Sequence, residues 1–148
     1  EIVELMRGSL VEDYRVESAG EAWDDHLIAL LRAQRQMYAD HPQLVPLLVG
    51  KTITHPAVIA AYDELATVLV DGGFAEDQVL PVIAVIDAFA IGFGLDLASP
   101  DDVWRPEQDT RTLGRILDGA ERGAARSNRT FELGLALLVE SLRSHLDG

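Results

Sequence analysis

The sequence has no cysteine, a single lysine and far fewer basic than acidic side chains. Without cysteine it cannot form a disulfide, a thiolate nucleophile or a cysteine-based zinc site, and this composition fits a cytoplasmic protein. Its 12 basic and 25 acidic residues give a formal net charge of −13. Backbone-driven binding to DNA or RNA requires a positive surface, so these residues alone are not expected to bind nucleic acid.

The recognisable signatures of catalysis are missing as well. The sequence contains no G-x-S-x-G motif, no P-loop and no dinucleotide fingerprint. No two of its four histidines have the i, i+4 spacing of a helical metal site, and there is no HExxH motif. We therefore expect no enzymatic activity, no metal ion and no cofactor.

One stretch is apolar almost throughout: residues 79–98 read VLPVIAVIDAFAIGFGLDLA, with only Asp87 and Asp96 charged. A length of about 20 residues would suit a membrane span. Asp87 would then lie near the bilayer centre, at a cost of about 3 kcal/mol, and both flanks of the stretch are acidic rather than basic. We therefore expect no membrane contact, but a helix that is buried on every side.

Apolar residues recur at three- and four-residue intervals along most of the chain, which predicts an all-α fold. Ser18 and Glu21 have capping-box spacing, and Thr54 followed by Pro56 marks another helix start. At 148 residues the chain is expected to form a single domain. About six helices are predicted, over residues 1–14, 18–40, 42–50, 54–71, 76–98 and 129–146, with a short one within 112–123.

Two long apolar helices near the end of the chain, 76–98 and 129–146, exceed what a single small bundle needs to bury. Two copies would bury them by forming a four-helix bundle across a two-fold axis, which predicts a homodimer. A central core helix inside a monomer is the alternative. The residues predicted to form the dimer interface are Val82, Val85, Ile86, Phe89, Phe93, Phe131, Leu135, Leu138 and Leu142.

Five short segments give the sequence a resemblance to a known family. They are W-D-D-H-L at 23–27, D-H-P at 40–42, D-G-G-F at 71–74, A-F-A-I-G-F-G-L-D at 88–96 and F-E-L-G-L-A-L-L-V-E-S-L at 131–142. Each segment alone is weak, but together their order and spacing cover nearly the whole chain. The chain resembles the C-terminal, effector-binding domain of the tetracycline-repressor (TetR) family of transcriptional regulators.

The resemblance implies more than a fold. In this family a basic helix-turn-helix domain precedes such a domain, and residues 1–14 look like the helix that connects the two. The start at Glu1 and the acidity would then follow, because the charge that contacts operator DNA would lie on an N-terminal domain absent from this chain. The resemblance also implies a homodimer and a small-molecule effector.

The family pocket lies between the connecting helix and the three helical segments that follow, and the dimer helices close it. In tetracycline-binding members a histidine and a glutamate from opposite subunits hold a magnesium-chelated drug. Here Leu48 takes the histidine position and Asp96 the glutamate position, so we expect an apolar or amphipathic effector without metal. The matching pocket positions are Leu30, Gln34, Leu48, Thr52, Tyr62, Leu65 and Ile83, to which we add Tyr38, one turn beyond Gln34.

Asp87 has two interpretations. A carboxylate among apolar residues must be exposed, paired or protonated. The favoured structural explanation is a salt bridge or hydrogen bond to the partner subunit or to a neighbouring helix, with Arg32 or Arg35 as examples of a partner residue. The functional alternative places Asp87 in the pocket, where it would recognise a cationic or hydroxylated ligand. Tyr38 and Tyr62 have a structural alternative of their own, as core residues with hydroxyls at the edge.

Taken together, these patterns predict the ligand-responsive domain of a TetR-like repressor. An effector in the pocket would favour one arrangement of residues 1–14 and so weaken operator binding by the N-terminal domain. The main alternative is a stand-alone helical homodimer that serves as an interaction module without DNA-binding activity. An enzyme with a buried pocket is the third hypothesis.

Overall fold

The computed structural model describes residues 1–147, and no strand occurs among them. The all-α fold predicted from the sequence is confirmed, with seven α-helices and one 3₁₀ turn, Pro42–Leu44, where about six helices were expected. The α-helices are α1 Ile2–Asp13, α2 Trp23–Asp40, α3 Val45–Leu48, α4 Pro56–Asp71, α5 Glu76–Leu97, α6 Leu113–Asp118 and α7 Gly123–Asp147.

Two predicted helix caps are wrong, although Pro56 lies in the first turn of α4 as predicted. Helix α2 begins at Trp23, with no side-chain cap, and Glu21 instead accepts a hydrogen bond from the Ala19 amide at 2.6 Å. At α4 the cap is His55, whose Nδ1 accepts from the Ala57 amide at 3.3 Å. Thr54 instead donates its amide and its hydroxyl to Glu4 of α1, so spacing alone assigned both caps wrongly.

Helix α7 begins at Gly123, well before the predicted start at Arg129. Gly123 has a φ of 60°, and a Cβ there would approach Asp101 Oδ1 to 2.7 Å. Glycine is therefore the residue that this turn requires. The added helical turns bring Arg126 and Ser127 against the end of α5.

The core is built mainly by α2 and α5, with α4 and α7 packed around them. Leu27 and Leu31 of α2 and Ile86 of α5 are fully buried, and each contributes roughly 1.5–3 kcal/mol through burial. The two helices approach closely at Gly94, where a Cβ would lie 3.0 Å from the Arg35 carbonyl oxygen. Close packing at this crossing fixes which side of α5 faces the core.

A buried polar cluster joins α2, α5 and α7 near this crossing. The Arg35 guanidinium donates to Ser127 Oγ and Asn128 Oδ1, each at 3.0 Å, and lies 4.5 Å from the centre of the Phe131 ring. Ser127 in turn donates to Asp96 Oδ2 at 2.8 Å. Asp96 is therefore a half-buried bundle residue, and Arg35 is not the partner of Asp87.

The predicted dimer interface needs correction, because most of its residues face the core of their own chain. Four of them are buried: Val82 at 7%, Ile86 at 0%, Phe131 at 1% and Leu135 at 4% exposure. Only one of the nine, Val85, is exposed. The other four are partly buried and packed against the core, namely Phe89, Phe93, Leu138 and Leu142.

A different apolar surface is exposed on the same two helices. On α5 it carries Val85 and the small residues Ala88 and Gly92, and on α7 it carries Leu133 and Leu137, each 62% exposed. The two stripes adjoin, since Gly134 of α7 packs against the rings of Phe89 and Phe93. We call the set Val85, Ala88, Gly92, Leu133 and Leu137 the α5–α7 face.

Helix α5 is the one helix in residues 1–147 that is long and apolar enough to cross a membrane by length and composition. Its most apolar window has a mean hydropathy of 2.0, and 33% of that window is buried inside the chain. The buried side is the core side of α5. The exposed apolar side chains of α5 include Val85, which belongs to the α5–α7 face, and Leu80 near the start of the helix.

Candidate effector cavity

A cavity of about 260 Å³ lies between α1, α2, α4, α5 and the segment that follows α3. Seven of the nine residues predicted for a ligand pocket line it: Leu30, Gln34, Tyr38, Leu48, Tyr62, Leu65 and Asp87. The other two do not. Ile83 is buried in the core, and Thr52 is an exposed residue whose carbonyl oxygen faces Arg7 at 3.4 Å.

Much of the cavity wall was missed by sequence reasoning. Helix α1 forms one side of the wall, and the segment after α3 forms another. On α5, Ile91 lines the cavity one turn beyond Asp87. The resemblance placed the connecting helix, residues 1–14, beside the pocket, but no residue of that helix was named among the lining residues. The missed lining residues include Arg7, Leu10, Val11, Tyr14, Met37, Val49, Lys51, Ile53, Ala61 and Ile91.

Asp87 and Tyr62 form the polar centre of the cavity. The Tyr62 hydroxyl donates a hydrogen bond of 2.8 Å to Asp87 Oδ2, which joins α4 to α5. Within residues 1–147 no Arg, Lys or His nitrogen lies within 4.0 Å of this carboxylate. The hydrogen bond from Tyr62 agrees with the expected contact to a neighbouring helix, but the partner is neither Arg32, which pairs with Glu132, nor Arg35, which donates to Ser127.

The protonation of these groups follows from their burial. Burial raises the pKa of the Asp87 carboxyl above its usual range, and the hydrogen bond from Tyr62 opposes this rise only in part. Burial, together with the nearby Asp87, also raises the pKa of Tyr62 and brings the pKa of Tyr38 to about 12. Both tyrosines therefore stay protonated at neutral pH.

Gln34 presents a second acceptor to the cavity. Its side-chain oxygen Oε1 is buried and has no hydrogen-bond partner within residues 1–147. An unsatisfied buried polar atom of this kind costs about 1–3 kcal/mol unless a water or a ligand satisfies it. Gln34 is therefore a cavity-lining residue with one buried, unsatisfied acceptor.

The arginines and the histidine on the cavity wall already have partners. Arg7 donates to Glu4 at 3.0 Å and to the Leu48 carbonyl oxygen at 2.6 Å. Arg15 lies 3.9 Å from Glu64, and the Nδ1 atom of His26 lies 3.0 Å from Glu21. These groups stabilise the wall, so none of them neutralises Asp87.

No cluster in residues 1–147 brings together three or more His, Asp or Glu side chains that could hold a metal ion. Leu48, at the position where the resemblance places a metal-binding histidine, lines the cavity with an apolar side chain.

The fold and the cavity together define an all-α domain with a cavity between its helices. The family model described as "Tetracyclin repressor-like, C-terminal domain" matches residues 17–146. The chain therefore belongs to this family of TetR C-terminal domains.

A solved structure supports the fold. It is described as a possible TetR family transcriptional regulator from Streptomyces coelicolor A3(2), and it aligns with a TM-score of 0.67. The alignment covers 97% of this chain and 77% of that chain at 19% sequence identity, so the likeness concerns the fold alone. A comparison with curated protein sequences gave no match.

Proposed function

We propose that residues 1–148 form the effector-binding and dimerisation domain of a TetR-family repressor. An effector bound in the cavity would weaken operator binding by an N-terminal DNA-binding domain, and such a regulator acts in the cytoplasm beside its operator. The observation that carries this proposal is the shared wall of the cavity. Helix α1 and the segment from Leu48 to His55 both line or border the cavity, and they are hydrogen-bonded to each other.

Two residues of α1 make these connections. Arg7 donates to the Leu48 carbonyl oxygen at 2.6 Å. Glu4 Oε2 accepts from the amides of Thr54 and His55, each at 2.8 Å. Because Leu48 also faces the cavity, an occupant that displaces this segment would also displace α1.

Helix α1 takes the place of the helix that connects to the DNA-binding domain in the TetR family. An effector that binds one arrangement of α1 more tightly than another would shift the equilibrium between them. The change in operator affinity cannot exceed this difference in effector affinity. A coupling of 1–3 kcal/mol, which is about 5–150-fold, is typical for such systems.

We propose the α5–α7 face as the dimer interface. Regulators of this family act as dimers, and the face presents Leu133, Leu137 and Val85 with exposures of 50% or more. Gly92, with no atom within 4 Å of a Cβ built there, and the neighbouring Ala88 leave room for a partner helix to approach closely. An isologous two-fold pairing of α5 and α7 would bury the apolar surface of α5 that the chain alone leaves exposed.

Operator binding tests the proposed function. A compound that raises the Tm of the chain is added to the operator complex of the protein that carries a DNA-binding domain ahead of residue 1. We expect the compound to weaken operator affinity about tenfold or more. Equal affinity with and without a saturating compound would contradict the proposal.

Two neighbouring alanines of α4 provide a matched pair of variants. Ala61 lines the cavity, whereas Ala60 is exposed to solvent on the same helix. The substitution Ala61→Phe should fill the cavity and abolish the response to the compound. The substitution Ala60→Phe should leave that response unchanged, which separates cavity filling from a general effect on α4.

A further inference from the structure

We propose that the natural effector carries a protonated amine on an apolar body, and that Asp87 receives an N–H group of that amine. This inference rests on the proposed function, because it names the chemical class of the ligand for the same cavity. The geometry that carries it is the pairing of a carboxylate without a cationic partner and an amide oxygen without a donor in one apolar cavity.

The first argument concerns hydrogen-bond balance at Asp87. Tyr62 donates to Oδ2, and among residues 1–147 no other donor reaches the carboxylate. An ionised carboxylate in a partly buried site is stabilised by two or three donors or by an opposite charge. A protonated amine supplies both at once, through a charge-assisted hydrogen bond.

The second argument concerns what the cavity lacks within the described chain. Within residues 1–147 Gln34 Oε1 accepts no hydrogen bond, and the Asp87 carboxylate accepts only the one from Tyr62, so the wall holds two acceptors whose capacity is not filled. The arginines that line the cavity are held by Glu4, Glu64 and backbone carbonyls. A ligand rich in donors therefore fits these groups, whereas a carboxylate or phosphate would face Asp87 with like charge.

The third argument concerns the body of the ligand. The rest of the wall is largely apolar, and the cavity volume of about 260 Å³ is enough for a bicyclic aromatic ring with a short side chain. Burial of such a ring supplies affinity, while the amine supplies orientation. The apolar wall is formed by Leu10, Leu30, Met37, Leu48, Leu65 and Ile91.

The test uses three probes of nearly equal size on the whole chain: naphthylethylamine, naphthylethanol and naphthylpropionate. Isothermal titration calorimetry at neutral pH measures the Kd of each. We expect the amine to bind about tenfold or more tightly than the alcohol, with the carboxylate weakest. An alcohol or carboxylate that binds as tightly as the amine would overturn this inference while leaving the cavity as an effector site.

Three variants assign the preference to Asp87. In Asp87→Asn the advantage of the amine over the alcohol should disappear, whereas Asp77→Asn, an exposed carboxylate on the same helix, should keep it. In Tyr62→Phe the carboxylate loses its protein donor, so the advantage should be retained or increased. If Asp87→Asn keeps the full advantage, or Tyr62→Phe abolishes it, the inference is overturned. If none of the three probes binds the wild-type chain, this inference and the proposed cavity function both fail.

Discussion

The imidazole ring of His55 packs directly against the backbone of Gly8, so closely that a Cβ at position 8 would overlap the ring. His55 also caps α4 through its Nδ1 atom, and its amide donates to Glu4 of α1. One residue thus joins the start of α4 to the middle of α1. The position of α1 is in this way tied to the segment that borders the cavity.

The substitution Gly8→Ala should loosen this contact. An alanine at an unobstructed helix position stabilises by about 1 kcal/mol relative to glycine. Here the added methyl group must displace the His55 ring or α1 itself, so we expect a loss of about 1–3 kcal/mol. Urea unfolding of the chain measures the change. A gain in stability would show that α1 and His55 are not packed as described.

Arg7 should contribute more to stability than a surface arginine. It is 7% exposed and donates to two backbone carbonyls of the Leu48–Thr52 segment. In Arg7→Met these carbonyls lose their donor, which should cost about 1–3 kcal/mol. Hydrogen exchange of the α1 amides should quicken in the same variant.

Arg15 provides the control for this experiment, because its side chain is 51% exposed and its contacts with Glu17 and Glu64 are at the surface. The substitution Arg15→Met should change the free energy of unfolding by less than about 1 kcal/mol. Equal losses for the two variants would contradict the role given to Arg7.

A charge on the α5–α7 face should prevent dimer formation. In Leu137→Glu each dimer would bury two unpaired carboxylates near its two-fold axis, and we expect the dimer Kd to rise at least about a hundredfold. Light scattering after size exclusion measures the mass. Ile116→Glu, at an exposed α6 position with 55% exposure, should leave the dimer intact. A Leu137→Glu variant that stays dimeric would place the interface elsewhere.

Asp87 should destabilise the ligand-free chain at neutral pH. Burial raises the pKa of Asp87 in the folded state above its usual range, so the folded state binds more protons than the unfolded state at pH values between the folded and unfolded pKa. Stability contributed by this group therefore falls as pH rises through that window, and the full penalty is present above it. Tyr62, Tyr38 and Arg7 are the ionisable groups that share this part of the cavity.

The substitution Asp87→Asn removes this penalty. We expect the Tm of the ligand-free variant to exceed that of the wild type by about 2–4 °C at pH 7. The difference in Tm between the variant and the wild type should become smaller as pH falls toward the pKa of an ordinary carboxyl group. Thermal unfolding across pH checks it, with Asp77→Asn as the exposed control. A lower Tm for Asp87→Asn at pH 7 would mean that the Tyr62 hydrogen bond outweighs the burial of the charge.

Hydrophobic periodicity was sufficient to predict an all-α fold, because apolar residues recur at three- and four-residue intervals in most of the helices. It was not sufficient to predict helix caps. Glu4 accepts hydrogen bonds from the amides of Thr54 and His55, which lie about fifty positions further along the chain. No local spacing in the sequence reveals such a side-chain-to-backbone contact. Whether a residue such as Thr54 can cap a helix therefore depends on contacts with residues that are distant in the sequence.

The dimer face shows a second limit of sequence reasoning. Helix α5 is apolar around most of its circumference, and periodicity cannot tell which side faces the core of its own chain. The stripe of Phe131 and Leu135 on α7 was assigned to the interface but fills the core, while the neighbouring stripe of Leu133 and Leu137 is exposed. Only the packing of α5 against α2 at Gly94 fixes the orientation.

The cavity was better predicted than the interface, and the reason is the resemblance rather than the spacing of residues. Family positions located the residues of α2 and α4 that face the cavity, such as Gln34 and Tyr62. The environment of Asp87 could not be predicted, because it depends on which arginines are already paired elsewhere. Arg32 and Arg35 proved to be held by α7.

Native mass spectrometry of the chain with naphthylethylamine tests the central claim most directly, since it reports assembly and cavity occupancy together. The account predicts a dimer at twice the chain mass of 16.2 kDa, with one amine bound per chain in the wild type and none in Ala61→Phe. A monomer of 16.2 kDa that binds no amine would contradict both the α5–α7 face as an interface and the cavity as an effector site.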